Sequence, residues 1–298
     1  MKRRIFFLYF ISFTITSCTA QQNNKVFKIA ADSNSLLWQV SGNGLSKPSF
    51  LFGTFHLLCR EDIKFSTQLK STMQYSDEIY MELDMDDPSI LVSGLLYMNM
   101  KNGKALKDLY THEEYKKIEQ FFTDSLQMPL FMFQKTKPFF LIALLYPKMM
   151  KCQSFSGVEE EIMKLAKEYK KEIRGLETIE FQSSVFDSIP YDLQARELIK
   201  SIDSLSEYAK RFDTMMLAYK NQQLNIVEES LNDGEFDMKK YDGLLINRRN
   251  ANWVKQLKEL MKNESVFAAV GAGHLPGENG LINLLKKTGY IVKPLQNW

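Results

Sequence analysis

The 298-residue chain has 45% apolar, 12% aromatic and 25% charged side chains, enough for one large core or two small ones, which excludes a disordered polymer and a membrane bundle. Lysine and arginine total 38 against 36 acidic residues, a net charge of +2; three of those cations, Lys2, Arg3 and Arg4, lie in a first 17 residues without any acid, so a chain beginning at Cys18 carries −1. A near-neutral protein has no sequence-independent hold on a phosphate backbone, which argues against nucleic acid as a partner.

The basic start and the apolar run Ile5 to Phe13 read as an export signal over residues 1–17, because the run is about half the ~20 residues that span a bilayer. Ile15-Thr16-Ser17-Cys18 resembles the lipobox of a bacterial lipoprotein, with Cys18 as the lipidated first residue. An ordinary signal peptide cut after Ala20 is the alternative. Either reading exports the chain, and the first anchors it to a bacterial membrane in the cell envelope. Residues 18–33 are polar and read as a tether, with the folded body over 34–298. In an oxidising compartment the other two cysteines, Cys59 and Cys152, allow one disulfide. A metal-ligand or nucleophile role for Cys59, three residues after His56, is the competing reading.

Leu36 to Val40 and Ser49 to Phe52 flank turn signals at Asn43-Gly44 and Lys47-Pro48, and read as a hairpin. The second strand runs into Gly53-Thr54-Phe55-His56. Glu78 to Asp84 alternates with period two and carries Glu82 and Asp84 on one face. Asp84, Asp86 and Asp87 lack the glycine and spacing of a calcium loop and lead into a helix after Pro88. Thr111-His112-Glu113-Glu114 is a capping box, which makes His112 a surface residue. Pro138 to Tyr146 is apolar but too short to span a membrane, and reads as a buried helix. Helices are expected over Glu159–Lys170, Tyr191–Leu205, Asn250–Lys262 and Leu281–Lys287, with strands at Glu172–Glu177 and Val266–Val270. The last strand runs into Gly271-Ala272-Gly273-His274. Strand then helix, repeated, makes this an α/β fold: duplicated strand-helix halves around a central, mostly parallel sheet, with helical insertions at about 86–150 and 186–246.

In such a sheet, ligands bind beyond the carboxyl ends of the strands. His56, Glu82, Glu177 and His274 stand at four such ends. If those strands are parallel neighbours, two imidazoles and two carboxylates share one volume, the composition of a metal site with a general base or of a metal-free acid–base pair. Gly53, Gly271 and Gly273 are expected as turn residues, the first two at positive φ. An arginine at a helix start, as in Arg248-Arg249-Asn250, can pin a carboxylate or polarise a substrate carbonyl, and Arg249 is assigned to stabilise an oxyanion. His-Glu-x-x-His, Gly-x-Ser-x-Gly and Gly-x-x-x-x-Gly-Lys patterns are absent.

Gly53-Thr54-Phe55-His56, Glu82-Leu83-Asp84, Gly175-Leu176-Glu177-Thr178 with Gln182, Arg249-Asn250, and Val270-Gly271-Ala272-Gly273-His274-Leu275 with Gly277 and Gly280 together resemble the TraB/GumN family. That family includes the Tiki proteases and shares its fold with erythromycin esterase and a haem-binding lipoprotein. The resemblance runs from about Leu37 to Leu295. It implies that the two Gly-x-x-His motifs share one site, and that Tiki-like members carry out metal-dependent proteolysis while the esterase relatives activate water through a histidine. The expectation is therefore an envelope hydrolase of a peptide or protein. A divalent ion (manganese, cobalt or zinc) would be held by His56, His274 and Glu82 or Glu177, with the remaining glutamate as base. A metal-free ester or lactone hydrolase and a non-catalytic haem- or metal-binding lipoprotein are the alternatives.

Overall fold

The computed structural model describes residues 29, 34–232, 241 and 243–297. The expected export signal, Cys18 and, except for Ile29, the tether lie outside them.

The first two strands, β1 (Leu37–Ser41) and β2 (Ser49–Thr54), form the expected antiparallel hairpin with Leu37 opposite Phe52. Asn43 and Gly44 take positive φ in its turn, as a tight hairpin turn requires. The short β3 (Leu58–Cys59) precedes α1 (Thr67–Tyr75), whose first turn is capped by the Ser66 hydroxyl accepting from the Leu69 N–H, and β4 (Glu78–Met81) follows. Next come α2 (Pro88–Tyr97), α3 (His112–Phe121), α4 (Pro138–Ala143) and α5 (Tyr146–Met149). Asp87 caps α2, with proline in its first turn, and both halves of the Thr111–Glu114 capping box form at α3. The chain returns through β5 (Phe155–Ser156), α6 (Val158–Glu168), β6 (Ile173–Gly175) and α7 (Ile179–Asp187). Three more helices, α8 (Tyr191–Asp203), α9 (Leu205–Lys220) and α10 (Leu224–Asn232), precede α11 (Arg248–Leu260), β7 (Val266–Gly271), α12 (Leu281–Lys287) and β8 (Ile291–Pro294).

The six-stranded sheet has the order β6-β4-β7-β2-β1-β8. The four strands that lead to Glu177, Glu82, His274 and His56 are therefore consecutive, and they are mutually parallel. Only β1 runs against its neighbours. Pairing continues past the end of β4: the Leu176 and Glu177 N–H groups donate to the carbonyls of Met81 and Glu82, which sets the two glutamates side by side.

Two apolar clusters form. One, around Trp38, Phe52, Phe267 and Trp253, packs helices against the sheet. The other, around Ile118, Phe122, Leu141, Leu198 and Phe212, is built from the helices between β4 and β5 and those after α7. Phe55 and Met216 pack against both.

The disulfide forms as expected between Cys59 and Cys152, across a sequence separation of 93. It lies beside the β3–β5 ladder, where Cys59 is opposite Phe155. Closing so long a loop restricts the unfolded chain, so replacing both cysteines by serine should lower the unfolding free energy by about 3–4 kcal/mol. Urea titration of the oxidised and substituted proteins reads this directly; coincident midpoints would show that the bridge constrains nothing.

Candidate functional site

The residues at the four strand ends meet around a guanidinium. Arg249 lies in the first turn of α11, where its side chain reaches back over the sheet edge. Its Nε donates to both Glu177 oxygens at 3.0 and 3.1 Å, and its Nη2 to Glu177 Oε1 at 2.6 Å and to Glu82 Oε2 at 2.5 Å. Its Nη1 donates to the Leu245 carbonyl and, at 3.1 Å, to His274 Nε2. Every guanidinium nitrogen is committed to a partner, and the plane also lies 4.7 Å from the Trp253 ring. Charge-assisted, bidentate pairing of this kind fixes both carboxylates and the arginine in one geometry.

The surroundings complete the set. Gln182 Nε2 bridges Glu82 and Glu177, and Trp253 donates to Glu177 Oε2. The Gly271 N–H donates to Glu82 Oε1 at 2.9 Å. His274 is buried, its ring 4.5 Å from that of Trp253. Because Nε2 accepts from Arg249, Nδ1 carries the proton and donates to Asn250 Oδ1 at 2.7 Å, an assignment made from the hydrogen-bond network. Sequence reasoning quoted Asn250 and Gln182 for the resemblance without giving either a role; their roles are to orient a histidine and to tie two carboxylates together.

His56 has a different environment. Its Nδ1 lies 2.8 Å from Oε1 of Glu159, in the first turn of α6. His56 also lines two cavities. Glu159 went unrecognised because Glu159, Glu160 and Glu161 are consecutive at a helix start, and only the β3–β5 ladder selects the first of them. Val158 N–H donates to the Phe55 carbonyl, which brings that turn of α6 against the first Gly-x-x-His.

The glycines depart from expectation in one respect. Gly53, Gly271 and Gly273 are not among the positive-φ glycines; what requires glycine is close approach. A Cβ at Gly53 would stand 3.1 Å from the Ala272 backbone, and one at Gly271 would stand 3.2 Å from Glu82 Oε1.

The charges follow from this packing. Burial pushes the Glu82 carboxyl up, but Arg249, His274 and His56 outweigh it and hold it at about 2. Burial drives His274 down to about 3, with Arg249 acting in the same direction and Glu82 opposing. Glu177 moves up through burial, against Arg249. Glu159, by hydrogen bond and charge, lifts His56 to about 9. The His56 side chain is 79% exposed, and solvent there screens the pairing with Glu159.

The expected metal set is only partly assembled. His274 Nε2 and Glu82 Oε1 are 3.8 Å apart, within the range of two ligands on one ion with bonds of ~2.1 Å. The further donors do not join them, since Glu177 is taken up by Arg249 and His56 faces Glu159. Among the described residues, no group of three or more His, Cys, Asp or Glu side chains could hold a metal ion. As placed, the residues do not fit a metal centre, because a guanidinium occupies the focus of the donors. Arg249, the residue expected at an oxyanion, is here bonded to Glu82, Glu177, Leu245 and His274. Asp84 lies outside the guanidinium cluster, and burial and its neighbour Asp86 raise its carboxyl to about 6.

Two cavities meet at the strand ends. One, of about 260 Å³, has Glu82, Arg249 and His274 on its polar side and Tyr146, Phe212 and Met215 on its apolar side. The other, of about 560 Å³, is lined by Met81, Met85, Glu159 and Met163 among others. Thr54, His56 and Glu82 line both. A larger hollow of about 670 Å³, walled by Lys164, Lys167 and Lys171, touches none of the four strand-end residues.

Glu82 and His274 both bind protons more weakly in the folded chain than in the unfolded one. Their stabilising effect is therefore complete above about 6.5, the ordinary imidazole value. It is lost as pH falls, first toward the His274 value near 3 and, from 4.5 downward, toward the Glu82 value near 2. The thermal midpoint should drop between neutral pH and about pH 4, and His274→Gln should flatten that slope. An unchanged slope in the variant would show that His274 is not held neutral.

The profile of the TraB/PrgY/gumN family matches residues 36–294. Metalloprotease TIKI1 of Xenopus tropicalis is 22% identical over 341 residues, covering 96% of this chain and 66% of that protein. Metalloprotease TIKI2 of Danio rerio is 22% identical over 317 residues, covering 88% and 61%. Metalloprotease TIKI1 of Homo sapiens is 21% identical over 317 residues, covering 88% and 62%. The chain thus spans somewhat less than two thirds of the length of these relatives. No solved structure is a significant match. With the family profile covering nearly all of the folded body, and every residue quoted for the resemblance lying at or beside the strand ends, the chain belongs to the TraB/PrgY/gumN family.

Proposed function

We propose that this chain is an exported, lipid-anchored hydrolase of peptide bonds, in which His56 and Glu159 move the proton. The observation that carries this reading is the His56–Glu159 contact at 2.8 Å on the wall shared by two cavities. A carboxylate on Nδ1 orients an imidazole and stabilises its protonated form, while Nε2 exchanges a proton with whatever occupies the cavity. His56 takes a proton from an attacking water and returns it to the departing amine. Arg249 acts through its charge, held beside the cavity by Glu82 and Glu177. The two cavities suit a polymer crossing the His56–Glu82 partition with one side chain seated on each side, and the relatives' designation as metalloproteases supports a peptide as that polymer.

His56→Ala should lower kcat/KM on a cleaved peptide by about 10²–10⁴-fold, the usual contribution of one acid–base group. The acid limb of the pH profile should lie above the ordinary imidazole value, because the base works only after losing a proton that Glu159 helps to hold. Glu159→Gln should move that limb to lower pH and reduce the plateau. Full turnover by His56→Ala would end the proposal.

A metal-dependent form of the same reaction is the second reading. It is favoured by the 3.8 Å spacing of His274 Nε2 and Glu82 Oε1 and by the relatives' name. It requires Arg249 to release Glu82 and His274, where a divalent ion would act as a Lewis acid. Chelation separates the two readings: activity that survives exhaustive chelation supports the arrangement described above. Activity that is lost and then restored by manganese, cobalt or zinc supports the metal-dependent one.

A further inference from the structure

We infer that the tip formed by α2 and the Leu130–Phe133 turn is a docking surface for an anionic phospholipid membrane. On α2, Tyr97 is partly buried, and its hydroxyl donates to Glu180. Val92, Leu95 and Leu96, spaced i, i+3, i+4, form one outward stripe. Phe131 and Met132 project from the turn, whose Leu130 is buried in the helical core. These five side chains are each 67–72% exposed. Large aliphatic and aromatic groups turned into water at one place are costly unless something covers them.

Backbone hydrogen bonds join the two segments. Met100 N–H donates to the Lys135 carbonyl, Lys137 N–H to Met98, and Leu106 N–H to Gln134. Asn99 and Thr136 form a bridge. The chain leaving the apolar stripe and the chain leaving the turn are therefore held side by side, with the start of the 106–108 turn against them.

Its charge identifies the occupant. Lys101, Lys104, Lys107 and Lys135 are exposed on these same segments. Lys101 is paired with Asp187, and Asp108 turns back to accept from the Ala105 N–H. Exposed apolar side chains with lysines on the adjoining segments match the boundary between acyl chains and anionic headgroups: the apolar groups enter the acyl region and the ammonium groups stay at the phosphates. A protein partner of ordinary composition would not call for four exposed lysines beside the apolar groups. This inference rests on neither the lipidation of Cys18 nor the hydrolase reading.

The test is Phe131→Trp in the full chain, with Met132→Trp as a second reporter, each compared with the parent's own tryptophan emission. The vesicles contain phosphatidylcholine and phosphatidylglycerol with brominated acyl chains. The added tryptophan should shift to the blue and be quenched by the bromines. Vesicles of phosphatidylcholine alone should quench it far less. Lys104→Ala and Lys135→Ala should each raise the lipid concentration for half-quenching about fivefold, as expected of about one unit charge at the surface. No added quenching in either reporter would overturn the inference. So would a blue shift without vesicles that grows with protein concentration, because a second copy of the chain would then be the occupant.

Discussion

A single buried cation, Arg249, holds the functional end of the molecule together. Two glutamates at neighbouring strand ends would repel each other and pay heavily for burial, and the sheet fixes their separation by pairing Glu177 N–H with the Glu82 carbonyl. The guanidinium resolves that conflict by bonding both carboxylates and sending its remaining hydrogens to Leu245 and His274. Removing one partner from such a buried network costs about 3–5 kcal/mol, because the others are left charged and unmatched. The arrangement is therefore all-or-none: β4, β6, β7 and α11 must each be in register before any of these charges is tolerable. It also sets the tautomer of His274, since a donor on Nε2 obliges the ring proton onto Nδ1, where Asn250 receives it.

The two Gly-x-x-His motifs look interchangeable as strings but are not so electrostatically. β2 and β7 are adjacent and parallel, with Thr54 opposite Gly271, so the motifs leave the sheet side by side. After β7 the chain turns inward under Trp253, and the histidine is buried and neutral. After β2 it turns outward into β3, and the histidine is exposed, with a carboxylate on Nδ1 that favours its charged form. What separates them is the neighbour each loop packs against, α11 in one case and the first turn of α6 in the other. One imidazole thus serves as a fixed acceptor for Arg249, and the other is exposed and held toward its charged form by Glu159.

Much of this was legible in the sequence. The hairpin, the four strand ends, the Asp87 and Thr111 caps and the disulfide follow from local patterns, and the order of the strands places Glu177, Glu82, His274 and His56 in one row. The partnerships were not legible, because they depend on contacts between residues far apart in the chain. Nothing local distinguishes Glu159 from Glu160. The pairing of an arginine with a carboxylate was a reading the chain allowed, but nothing in Arg249-Asn250 names Glu82 and Glu177 as the carboxylates or His274 and Leu245 as the remaining acceptors. The glycines were chosen rightly for the wrong reason: a strand-to-loop exit suggested positive φ, whereas at Gly53 and Gly271 the constraint is contact with Ala272 and Glu82.

The cavity beside His274 shows how the two cores divide the work. Its polar side comes from strand ends and the start of α11, held by sheet register and by the guanidinium. Its apolar side includes Tyr146, Phe212 and Met215, which belong to the helical layer, with Phe212 stacked on Tyr146 and packed against Phe55. A scaffold of this kind allows the helical wall to vary in shape without disturbing the charges across from it. The two walls meet at Phe55, the residue before His56, which packs against both cores. Displacement of Phe212 or Tyr146 therefore bears on the backbone that carries His56. The Cys59–Cys152 bridge ties down the chain three residues beyond His56, just after that aromatic contact.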